Sequence, residues 1–363
     1  MKIKNILICG LVLLGMVGCD DFESVNTNPD STNKVTSAML ATELLRDITT
    51  YKNGNGKDFI RDELLAKYLS WTEANDIDLA FNLLGGANYD ALRDLRNASK
   101  MIDFATNDEL KNSYTALSHF VRVFFFFNLT MQVGDIPYSE ALRAEDEEVY
   151  FPKYDSQKDV FLGLLNELDE ADRLFSAGTN FEGDYIYGGD VTKWRKAVNV
   201  MQLKLLLNLY KKVDDPDLKV RERINEIINN RPVFESIADN TPDDVMFHHN
   251  RKITDAYIQE YLGNQGVKFA SDFQEQLSQI IWQKYILTFL QTPYNAFFEY
   301  RRTGVPNIPI NPKSNRNIPS DKMPLRWMYP SEELDYNMDN VSKSISDQYG
   351  GSDDYMGVMW ILK

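Results

Sequence analysis

Residues 107–134 read NDELKNSYTALSHFVRVFFFFNLTMQVG, and this stretch decides the fold class. The Asn107 side chain can accept a hydrogen bond from a free backbone N–H at the start of a helix. Asp108 and Glu109 then set negative charge at the positive end of its dipole. Gly134 supplies a stop. In between, Phe124 to Phe127 is apolar around the whole circumference. The segment therefore predicts a long helix buried at the centre of the molecule, with His119 inside the core.

The flanking sequence has the same period. After Asp155 and Ser156, apolar residues fall at Val160, Phe161, Leu164, Leu165, Leu168, Ala171 and Phe175, while Glu167, Asp169 and Glu170 lie off that stripe. After Asp190 and Thr192, a second stripe runs through Trp194, Val198, Met201, Leu205 and Leu209. Further helices are expected over residues 37–50, 58–71, 89–104, 272–290 and 293–302. In the last of these, Pro293 suits the first turn and Gly304 the stop. Connections are short, so neighbouring helices should pair as hairpins. From Val305 the character changes. Pro306, Pro309, Pro312, Pro319, Pro324 and Pro330 predict an irregular segment packed over the helical body. The fold class is thus mostly α.

Composition bounds the function. The chain has 363 residues, 43% of them apolar, which suffices for a sizeable core. Its 39 Lys+Arg against 54 Asp+Glu give a net charge of −15, a surface that repels phosphate, so nucleic acid is not an expected partner.

The N-terminus reads as an export signal. Lys2 and Lys4 precede residues 6–18, an uncharged run too short to span a bilayer as a helix, which takes roughly 20 residues. It ends in Met16-Val17-Gly18-Cys19, which resembles a bacterial lipobox. Residues 1–18 are then a signal peptide, Cys19 takes a diacylglycerol, and residues 19–35 tether the membrane anchor to a domain spanning 36–363. The chain has two Cys, and Cys9 lies inside the removed peptide, so no internal disulfide is expected. Asp20, Asp21 and Glu23 behind the anchor resemble a signal for display at the cell surface.

A family resemblance runs through the chain in order. It begins with Cys19-Asp20-Asp21-Phe22-Glu23 and Val25-Asn26-Thr27-Asn28-Pro29. It continues through Gly134-Asp135-Ile136-Pro137-Tyr138-Ser139-Glu140-Ala141-Leu142 and Gly188-Gly189-Asp190 with Lys193-Trp194-Arg195. It closes with Tyr300-Arg301-Arg302-Thr303-Gly304, Pro324-Leu325-Arg326-Trp327-Met328-Tyr329-Pro330 and Gly350-Gly351-Ser352-Asp353-Asp354. The whole resembles SusD/RagB-type outer-membrane lipoproteins of Bacteroidota. That resemblance implies helical hairpins with tetratricopeptide-like packing. It also implies capture of a nutrient, usually a glycan, for a TonB-dependent (SusC-like) outer-membrane transporter. One stretch departs from the family. Little lies between Asn230 and Ala270, where relatives carry a longer segment, so the chain reads as a shortened member. A scaffold role without ligand binding is the alternative.

Sugar binding needs a flat apolar face flanked by amides or carboxylates. Two stretches offer that mixture: Trp71, Asp76, Phe81 and Asn82 before Gly85-Gly86, and Tyr185 and Tyr187 in a Gly-bounded loop. Packing is the competing role for each. Gly134-Asp135-Ile136-Pro137-Tyr138 reads as a structural turn, Trp194 as core, and Arg301 and Arg302 as helix-end cations. Enzymatic signals are weak. The sequence has no nucleophile elbow, phosphate loop or dinucleotide fingerprint, and His248-His249 lacks zinc spacing. Neither a metal nor a cofactor is expected, and Asp214-Asp215-Pro216-Asp217 reads as a capping turn. A lipid-anchored glycoside hydrolase is the enzymatic alternative, and it requires two carboxylates facing each other across a cleft.

Overall fold

The computed structural model describes residues 34–49, 58–70, 78–235 and 267–363, together with residues 256, 259, 260, 263 and 264. Cys19, Trp71, Asp76 and the His248-His249 pair lie outside the described residues. The folded unit runs from Ser37 to Lys363. Its principal helices are α1 (Ser37–Thr49), α2 (Asp58–Leu65), α3 (Arg96–Asp103), α4 (Asp108–Val133), α5 (Gln157–Ala177), α6 (Val191–Asn208), α7 (Val220–Asn230), α8 (Phe273–Leu287), α9 (Pro293–Thr303) and α10 (Met338–Tyr349).

Capping side chains open these helices, Asn107 and Asp190 as the sequence predicts and Asp272 in addition. Asn107 Oδ1 accepts the Leu110 N–H at 2.8 Å, Asp190 Oδ1 accepts that of Thr192 at 2.8 Å, and Asp272 Oδ1 accepts those of Gln274 and Glu275 at 2.9 and 3.0 Å. Three boundaries differ. α2 stops at Leu65 because Lys67 turns into the left-handed region at φ 63°. Over residues 89–104 a 3₁₀ turn, Asp90–Arg93, comes first, and regular helix starts at Arg96. Beyond Pro330 the tail returns to helix in Ser331–Tyr336 and α10.

α4, α5 and α6 form the spine. Asn112 near the start of α4 donates to Ala177 O at the end of α5, and Gln157 at the start of α5 donates to Thr130 O near the end of α4. These two helices are therefore antiparallel, and α6 continues the pattern on the far side of α5. Phe126, Phe161, Leu164, Leu165, Phe175 and Trp194 are fully buried between them. α4 is long and apolar enough to cross a bilayer, yet most of that apolar length is buried inside the protein.

The acids that lie off the α5 stripe bind the neighbouring helices. Glu167 accepts from His119 at 2.9 Å, Tyr138 at 2.7 Å and Arg122 at 3.2 Å. Burial pushes its carboxyl up, but these three partners outweigh burial and hold it below the usual range. His119 is therefore a half-buried partner of α5 and not the core residue that the sequence suggested. Asp169 meets Arg223 and Arg231 at 2.6 and 2.7 Å, and Asp172 meets Arg195 at 3.0 Å, which ties in α7 and α6.

The C-terminal end of α4 organises the tail. A helix leaves its last four carbonyls without intrahelical partners. Here Thr130 O accepts from the capping Gly134 N–H at 2.9 Å and also from Gln157 Nε2 at 2.8 Å, while Met131 O accepts from Arg301 Nη2 at 2.6 Å, Gln132 O from Trp327 N at 2.9 Å, and Val133 O from the Tyr349 hydroxyl. Partners from α5, α9, the Pro-rich segment and α10 converge on one helix end.

Candidate ligand-binding site

The Pro-rich segment returns to the N-terminal half of the chain, where it closes a recess of about 240 Å³. One wall is the turn that ends α2, with Leu64 and Lys67. A second is Phe81, the last residue of the 3₁₀ turn Asp78–Phe81, with Asn82 after it, and a third is Pro309, Ile310 and Asn311. The Arg316 N–H donates to Phe81 O at 2.9 Å and fixes the second wall to the third. Asn315 is spent on structure, since its Nδ2 donates to Ser320 O and Lys322 O, each at 2.8 Å.

Two polar groups in these walls are not spent. Asn82 stands in the left-handed region at φ 62°, a conformation Asn tolerates, and is 3% exposed. Its Oδ1 has no hydrogen-bond partner. A buried acceptor left unmade costs roughly 1–3 kcal/mol. Lys67, also left-handed and half-buried, lines the same recess, and burial pushes its ammonium down to about 8. Apolar wall, free amide oxygen and free ammonium together suit a hydroxyl-bearing ligand. Among the described residues the lining contains no carboxylate.

The sequence-predicted residues divide. Phe81 and Asn82 come together in the recess. Trp71 and Asp76 fall in the undescribed stretch that joins its first two walls. Tyr185 and Tyr187 line a different part of the molecule. Tyr185 is half exposed and hydrogen-bonded to Thr49 at the end of α1. Tyr187 stacks edge-on against Trp194 at 5.1 Å, and burial raises its phenol to about 12. Lys67 and the Pro309–Asn311 wall were not anticipated. Their contribution depends on a backbone reversal and on contacts across more than 200 residues, which no local pattern signals.

Other candidates resolve into structure. Lys158 bridges Asp215 and Asp217 at 2.9 and 2.6 Å. Asp135 Oδ1 accepts the Gln157 N–H at 2.7 Å, inside the turn that begins at Gly134. Arg301 holds two backbone carbonyls, and Trp194 is 1% exposed in the core.

Comparison with known proteins accords with this architecture. A family described as starch-binding and associating with the outer membrane matches residues 29–252, and the SusD and RagB outer-membrane lipoprotein family matches residues 263–362. The chain belongs to the SusD/RagB family. A SusD homologue from Bacteroides fragilis is 29% identical, with a TM-score of 0.82 over 91% of this chain and 100% of that one. A Bacteroides vulgatus protein whose name links it to the outer membrane and to nutrient binding is 22% identical, with a TM-score of 0.76 over the same shares. A chitin-binding protein has the same fold at 18% identity, with a TM-score of 0.61 over 90% of this chain and 100% of that one. No curated protein sequence gives a significant match. Each of these solved chains is matched over its whole length.

Proposed function

We propose that this SusD/RagB chain is a cell-surface lipoprotein, anchored through Cys19, that captures a glycan and delivers it to a TonB-dependent, SusC-like transporter without chemical turnover. The observation that carries the binding role is the recess itself, whose walls set the apolar Phe81 and Ile310 beside Asn82 and a Lys67 ammonium without a counter-ion among the described residues. Family membership supports the outer-membrane setting. The absence of carboxylates from the described lining argues against hydrolysis there, since glycosidases place two acids across the bond they cut.

The recess is small, so one sugar binds weakly and affinity grows with chain length as flanking contacts add. Calorimetry with starch-derived and chitin-derived oligosaccharides of increasing length tests this. Asn82→Gly retains the left-handed backbone and removes the amide. Phe81→Ala removes the apolar face. Each should weaken binding about tenfold, the equivalent of about 1.4 kcal/mol. Binding that is unchanged in both variants places the ligand elsewhere. Co-purification of a transporter with no glycan bound at any length favours the scaffold role, and released sugar products favour a hydrolase.

A further inference from the structure

A predominantly apolar cleft among the described residues lies away from the recess. It has a volume of about 460 Å³, within the range of small-molecule pockets, and sits between α6, α8 and α9 with Phe127 of α4 at its base. Its walls are predominantly aliphatic and aromatic: Leu203 and Leu207 from α6, Ile281 from α8, and Ala296 and Phe298 from α9. Leu207 is 55% exposed at the rim.

The charges in this cleft do not balance. Among the described lining residues Glu299 is the sole acid, and that carboxylate is already committed, to Lys284 at 2.8 Å and to Arg302 at 2.5 Å. Lys204 is half-buried with its ammonium 5.4 Å from the centre of the Phe127 ring, and it makes no ion pair or side-chain hydrogen bond among the described residues. Burial, then the nearby Lys284 charge, pushes that ammonium down, against the pull of Glu299. A cation that has lost water and gained a ring face, but no counter-ion, lacks an anion. In a chain with a net charge of −15, a locally positive apolar cleft is an exception to the general field.

We infer that this cleft is a second binding site, for an amphipathic carboxylate whose apolar body fills the cleft between α6, α8 and α9 while its head group pairs with Lys204. The charge complementarity selects an anion, and the apolar walls select a hydrocarbon or aromatic body. A sugar meets neither requirement. The site is independent of the glycan recess, whose walls share no residue with it.

The probes are decanoate, decanol and decyltrimethylammonium, which differ only in the head group. Calorimetry on the purified full chain should show decanoate bound at least about tenfold more tightly than decanol, with the cation weakest. Lys204→Met retains the aliphatic stem and removes the charge. It should reduce decanoate to the decanol level and leave decanol unchanged. Leu207→Glu, at an exposed position that folding tolerates, should abolish decanoate binding through lost apolar wall and like-charge repulsion. Asn82→Gly should leave decanoate affinity untouched. Methyl resonances of Ile281 and Ala296 should shift on titration. Decanol binding as tightly as decanoate, a Lys204→Met variant that keeps the preference, or no binding of either probe at millimolar concentration overturns the inference.

Discussion

Asp184 is the residue whose removal most directly tests how the Tyr185–Tyr187 loop is built. Its carboxylate is 9% exposed and accepts four donors: the N–H groups of Ile186 at 2.8 Å, Tyr187 at 3.2 Å and Gly189 at 2.8 Å, and the Trp194 indole N–H at 2.8 Å. Asp184→Ala leaves all four unanswered. The Ile186 and Tyr187 amides are close enough to the surface to regain water, whereas Gly189 and the Trp194 indole are buried. Each buried donor left unmade costs roughly 1–3 kcal/mol, so the variant should lose about 3–5 kcal/mol. Unfolding entropy is about 2.1 cal/mol/K per residue, so over a unit of this size 1 kcal/mol moves Tm by about 1.5 °C. Calorimetry should therefore show a fall of about 5–7 °C, and Asp184→Asn, which retains one acceptor, a smaller one. A Tm within about 1 °C of the parent refutes the hub. The same variant separates scaffold from site. Oligosaccharide affinity should be preserved below its Tm, and a tenfold loss there would return Tyr185 and Tyr187 to the ligand.

Three further outcomes follow from the chemistry of particular groups. Cys19→Ala should release the protein from the outer-membrane fraction, and persistence in that fraction refutes the anchor. Neutral replacements of Asp20, Asp21 and Glu23 should keep the lipid but shield the protein from external protease; unchanged cleavage counts against the display signal. Burial raises the Asp135 carboxyl to about 7, so the folded chain holds this proton more tightly than the unfolded chain, whose carboxyl titrates near 3.8. Stability from this group is complete below pH 3.8 and is lost as pH rises toward 7. Asp135→Asn retains the acceptor for the Gln157 N–H, so its Tm should exceed the parent's at pH 8 and the gap should close by pH 4. A gap that does not vary with pH refutes this.

How much was legible in the sequence depends on the range of the interaction. Asn107 and Asp190 act on amides two or three residues away, and both caps could be placed from sequence. The stripe through Val160, Leu164 and Leu168 reports a helix face directly, so the spine followed. α7 and α10 were missed because neither has a strong apolar stripe. Their buried residues, Val220 and Ile227 in one and Val341 and Ile345 in the other, are sparse. His119 was misplaced because its apolar neighbours suggested core, while its partner Glu167 belongs to another helix. In the recess, Phe81 and Asn82 are candidates that residue type alone suggests. Lys67 is not, since its role depends on a left-handed turn that its side chain does not favour. The Pro309–Asn311 wall was hidden because prolines announce irregular chain without saying where it goes.

The motifs that carry the family resemblance explain why lineage was easier to read than ligand. Gly134 sits at φ 93°, and a Cβ there would stand 2.2 Å from Gln348 Oε1, the atom that accepts the Asp135 N–H. The Arg301 of the Tyr300–Gly304 motif donates to Met131 O, Trp327 of the Pro324–Pro330 motif to Gln132 O, and the Tyr329 hydroxyl to Asp135 O. Asp353 of the closing motif accepts the Tyr329 N–H and pairs with the buried Arg326 at 2.6 Å. Four motifs scattered over more than 200 residues thus meet at one place, the carbonyl end of α4. Their geometry is exacting because each group there is buried and charged or directional, and a lost partner would strand a carbonyl. That demand restricts which side chains can stand at these positions. The recess faces no such demand. Its walls are built from shape and a few polar groups, which many residue types can supply on one scaffold.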